Sequence, residues 1–74
     1  MSITPFLTGR SFEPKTLQAM SVAFASACDT LRLRAGDDPA AARVAETVIK
    51  FAQRGIRNPR KLRRMTLKEF GFYE

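Results

Sequence analysis

Residues 37–55, DDPAAARVAETVIKFAQRG, decide the reading of this chain, because they carry a start signal, an amphipathic body and a stop signal in order. Asp37 or Asp38 is placed to cap the unpaired N–H groups of a helix start, where a negative charge also suits the positive end of the dipole. Pro39 fits the first helical position, since its missing N–H has no helical partner there and its φ is already near helical. Ala41, Val44, Ala45, Val48, Ile49 and Ala52 then recur at steps of three and four, with Phe51 at the border of the stripe. Glu46 and Lys50 form an (i, i+4) pair on the polar side, and Gly55 stops the helix, with Ile56 placed to fold back on the last turn.

Upstream, a first helix is expected from Glu13-Pro14, with Leu17, Met20, Phe24, Ala27, Cys28 and Leu31 as its apolar stripe and Gly36 as its end. Gln18, Ser21, Asp29 and Arg32 fall opposite that stripe, and the alanines at 19, 23, 25 and 27 permit a close helix–helix approach. Downstream, Asn58-Pro59 repeats the start signal and opens a short third helix on Leu62, Met65 and Phe70, with Leu67 to one side. The expected fold is all-α: an αα-hairpin with a loop of about two to five residues, plus a short third helix. Residues 1–12 read as an irregular arm whose Phe6, Leu7 and Phe12 can pack on the body. Residues 13–70 read as one small helical domain and 71–74 as part of an apolar tail that packs against a helix or a partner.

Seventy-four residues give a marginal core unless something adds burial. One cysteine and no histidine leave neither an internal disulfide nor a Cys/His zinc site, so pairing into a dimeric helical bundle is the expected remedy. No apolar run reaches the roughly 20 residues of a membrane span, and the first residues lack a basic leader followed by an apolar block. The cytoplasm is therefore the expected compartment.

The layout F-E-P at 12–14, A-C-x-x-L at 27–31, D-D-P at 37–39, V-A-x-x-V-I at 44–49 and R-G-x-R-N-P-x-x-L at 54–62 resembles a set of small bacterial helical proteins. The resemblance spans roughly residues 12–70 and implies the same helical layout, without an activity, a cofactor or a catalytic residue. That set often carries an acidic residue before the last proline, where this chain has Asn58.

The charge is uneven. Residues 1–49 hold five basic and five acidic side chains, so the whole net charge of +6 falls in residues 50–74. Arg54, Arg57, Arg60, Lys61, Arg63, Arg64 and Lys68 are the candidate contacts for an acidic protein partner or for nucleic acid phosphates. A helix–turn–helix does not fit, because Phe51 occupies the small-residue position before the turn and Lys61 and Arg64 occupy the anchor positions of the recognition helix. Two or three apolar residues beside the basic ones make a weak membrane-surface anchor.

Catalysis is not expected, nor is a metal, a cofactor or a small-molecule substrate. Histidine is absent, capping accounts for the adjacent Asp37 and Asp38, and Cys28 sits on an apolar stripe with no base to activate it. The four glycines stand singly and build no phosphate loop. The sequence thus points to a non-catalytic helical interaction module, self-associating and using its basic segment on an acidic protein partner. Non-specific DNA or RNA binding by the same residues is the alternative.

Overall fold

A computed structural model describes residues 3–7, 9–34 and 38–73. Among these, a 3-10 turn at Thr4–Phe6 precedes three helices, α1 (Pro14–Thr30), α2 (Pro39–Gln53) and α3 (Pro59–Glu69). The helical hairpin with a third helix is thus the architecture observed, and each helix packs on the other two.

The three helices share one construction. Each begins with proline in its first turn after an extended residue: Glu13, Asp38 and Asn58 have ψ of 150°, 124° and 123°. Proline disfavours helical geometry in the residue before it, so these dipeptides fix the boundary. Asp38 accepts from the Ala40 N–H, and Asn58 from the N–H groups of Arg60 and Lys61. Asp38 is therefore the cap of α2, while Asp37 lies outside the described residues.

Each helix also ends in the same closure, in which two N–H groups beyond the helix bond back to carbonyls of its last turn. Gly55 and Ile56 bond to Ala52 and Phe51 after α2, and Gly71 and Phe72 bond to Lys68 and Leu67 after α3. After α1 the same roles fall to Arg32 and Leu33, bonded to Asp29 and Cys28. This corrects two expectations. α1 ends at Thr30, well before residue 36, which lies outside the described residues; the connection to Pro39 is accordingly longer than five residues. Arg32 adopts the left-handed φ of 57° that glycine usually supplies. Leu31 and Leu33, which flank it, both pack partly on the core, so apolar contact holds the unfavourable backbone in place.

The core sits where the helices converge. α2 contributes its expected stripe in full, and Phe51 is buried with it at 6% exposure. α1 buries a wider face than a single stripe, Thr16, Ala19 and Ala23 joining Met20, Phe24, Ala27 and Cys28, because it packs on both other helices. α3 is rotated from its expected phase: Leu62, Thr66 and Leu67 are buried, while Met65 and Phe70 are only partly so. The arm adds a residue the sequence pattern did not single out. Ile3 is fully buried, and its N–H donates to the Ser21 hydroxyl at 3.2 Å. Leu7 is buried and Phe6 meets Phe24 edge to face at 5.4 Å. Fully burying one such side chain stabilises by roughly 1.5–3 kcal/mol, so the arm is part of the core.

The expected Glu46–Lys50 pair does not form. Glu46 instead receives Arg10 at 3.0 Å, and Lys50 bridges to Glu69 at 2.6 Å. Tertiary neighbours outcompete the local one, and both bridges tie separate segments to α2.

Candidate functional site

The basic residues divide by the helix phase that Leu62, Thr66 and Leu67 impose. At about 100° per residue, burying those three turns Arg60, Lys61, Arg64 and Lys68 outward within an arc of about 100°. All four are exposed, and no side-chain partner is found for them among the described residues. Arg60, Arg64 and Lys68 follow one another at i, i+4 and i+8, so they form a ridge along the helix, with Lys61 beside it.

The other three cations leave this face. The Arg57 guanidinium donates to the hydroxyl of Thr16, a threonine only 2% exposed. Arg63, half-buried, donates from Nη2 to the Thr30 hydroxyl at 3.1 Å. Arg54 lies at the C-cap of α2 with its guanidinium 5.8 Å from the centre of the Phe51 ring, which Lys50 also approaches at 4.9 Å. These contacts satisfy a buried hydroxyl, tie α3 to α1 and cover an aromatic ring. The expected cluster of seven is therefore an outward ridge of four and three side chains engaged within the fold.

The ridge is electrostatically unfavourable on its own. Arg60 and Lys61 lie in the first turn of α3, at the positive end of its dipole, and that turn holds no acidic residue. The like charges at i, i+4 repel one another as well. An anion bound along the face relieves both effects.

Two exposed aromatic side chains follow the ridge in sequence, just past the end of α3. The Phe72 N–H bonds to the Leu67 carbonyl at 2.9 Å, which holds the segment after α3 against the helix end just beyond Lys68. Phe72 is 40% and Tyr73 73% exposed, so Phe72 is partly covered by the chain and Tyr73 stands mostly open to solvent. Phe70 alone of that group packs partly on the core.

Other surfaces offer less chemistry. Cys28 is fully buried, and burial, then Asp38 and Asp29, raise its pKa, so the reactive thiolate is disfavoured. An open groove between α2 and α3 is lined by Glu46 and Glu69, both already bridged to cations. The hydrogen bond from Lys50, then its charge, lowers the Glu69 pKa, away from the neutral range that a general acid uses. Among the described residues no helix is long and apolar enough to cross a membrane. Five residues, 54–58, separate α2 from α3, and Lys61 and Arg64 are exposed.

No family model, no curated protein and no solved structure matches the chain.

Proposed function

We infer that this chain is a small non-catalytic interaction module that captures a polyanionic partner on the outer face of α3. One observation carries the reading: Arg60, Lys61, Arg64 and Lys68 stand together on one face, without side-chain partners among the described residues, where they strain their own helix. A surface that needed only solubility would be better served by cations spread among acidic neighbours. The ligand chemistry is a row of anionic oxygens, supplied by an acidic protein or by nucleic acid phosphates. Retention on immobilised heparin at low salt tests it. The unmodified protein should bind and elute as salt rises, and a variant with all four residues changed to Gln should flow through with unchanged helicity. Passage of the unmodified protein through the column at low salt overturns the reading.

Self-association is a second reading, supported by the outer face of α1, where Val22 is 53% exposed among Gln18, Ser21, Ala25 and Ser26. That face is small and flat enough for helix–helix contact with a second copy. Light scattering at two protein concentrations tests it, and a monomer mass at both rejects it.

A further inference from the structure

The ridge and the aromatic pair that follows it share one end of α3, and together they narrow the ligand. We propose that α3 and residues 72–73 form a binding face for single-stranded nucleic acid. The proposal rests on the polyanion reading of the same ridge and goes further by naming the ligand. Arg60, Arg64 and Lys68 repeat every four residues, about 6 Å along the axis at the α-helical rise, a spacing suited to successive phosphates of one strand.

Immediately past Lys68, the chain turns at Gly71, whose φ is 77°, and presents Phe72 and Tyr73 to solvent. A strand tracking the ridge brings its next bases to these rings. Base-on-aromatic stacking needs unpaired bases, whereas a duplex keeps its base faces covered and an acidic peptide has none to offer. Exposed aromatics past the end of a basic ridge therefore favour the single strand over both. Lys and Arg on the ridge contact phosphate without reading sequence, so little sequence preference is expected.

Tyr73 supplies its own reporter, because the chain has one tyrosine and no tryptophan. Stacking on a base quenches tyrosine emission. The experiment titrates the full chain with a 12-nucleotide oligo-dT, a 12-base-pair duplex and a polyglutamate peptide. Anisotropy of the labelled ligand gives the affinity, and absorption-corrected Tyr73 emission gives the contact. Oligo-dT should bind more tightly than either competitor at equal salt and quench Tyr73. Its affinity should fall with salt at a log–log slope of about −3, the value for four phosphate contacts on a single strand.

Tyr73→Ala should weaken oligo-dT at least fivefold and leave polyglutamate binding unchanged. Phe72→Ala, checked for helicity, should act in the same direction. Duplex binding equal to or tighter than oligo-dT, or oligo-dT binding without quenching and without loss in Tyr73→Ala, overturns the single-strand proposal. Tight polyglutamate binding with none to oligo-dT also overturns it, while the polyanion reading stands. Failure of all three ligands overturns both.

Discussion

α2 and α3 are built to one plan and charged on opposite principles. Both open with an Asx cap and a proline, and both close through a glycine with positive φ. In α2 the cap is Asp38, an anion at the positive end of the dipole, and Lys50 lies in the last turn with its partner Glu69. In α3 the cap is neutral Asn58, cations crowd the first turn, and the outward ones lack side-chain partners among the described residues. The hydroxyls differ too. Thr47 donates to the Arg43 carbonyl at 2.8 Å, whereas Thr66 is buried with its Oγ1 unpartnered among the described residues. One helix is arranged to stabilise the fold, and the other keeps charge outward at some cost to it. That difference supports the proposal that the binding face lies on α3.

The sharpest way to break the comparison is to remove core from each helix. Ile49→Ala in α2 and Leu62→Ala in α3 should each cost about 2–5 kcal/mol, since both side chains are at most 1% exposed. Thermal unfolding followed by circular dichroism should stay a single transition in both. A separate early transition in Leu62→Ala would show that α3 is an appendage to an independent hairpin. Thr66→Val comes next. It removes a buried unpaired hydroxyl and should stabilise by roughly 1 kcal/mol, read as a higher urea midpoint at unchanged m.

Exchanging the caps tests the electrostatic half of the contrast. Asp38→Asn should lower stability and Asn58→Asp should raise it, each by about 0.3–1 kcal/mol, with both effects shrinking in high salt. Equal and same-signed shifts would mean that the dipole argument does not separate the helices. The smallest effect belongs to Glu69→Gln. Lys50 lowers the Glu69 pKa in the fold, so their bridge contributes above the ordinary glutamate pKa and is lost as pH falls through the depressed one. The difference in melting temperature between wild type and this variant should therefore be present at neutral pH and close on acidification.

Much of this fold was legible from local chemistry. The bounds of α2, its core stripe, its Gly55 closure and the Asn58-Pro59 start all follow from residues within a turn of one another. The misses lie where distant groups decide. No composition signal marks Arg32 as left-handed, because its conformation is held by Leu31 and Leu33 against the core. Lys50 has a good local partner in Glu46 and takes Glu69 because the fold brings α3 alongside. Of the candidate site, the cluster of cations was visible in the sequence but its division was not. That division depends on Thr66 and Leu67 facing inward and on Thr16 and Thr30 waiting on α1. The exposure of Phe72 and Tyr73 was equally hidden, since apolar residues in sequence read as buried ones.

The two arginines that turn away from the ridge decide how rigidly it is held. Arg57 reaches Thr16 in the first turn of α1 and Arg63 reaches Thr30 in its last, so the two hydrogen bonds fasten α3 and its lead-in to opposite ends of a neighbouring helix. A rod held at two separated points does not swivel. The freedom of α3 as a body is lost during folding, and the proposed partner would have only the exposed side chains left to immobilise, at about 0.5–1.5 kcal/mol apiece. The ridge is a preorganised surface, and the side chains responsible for that are two arginines that lie off it.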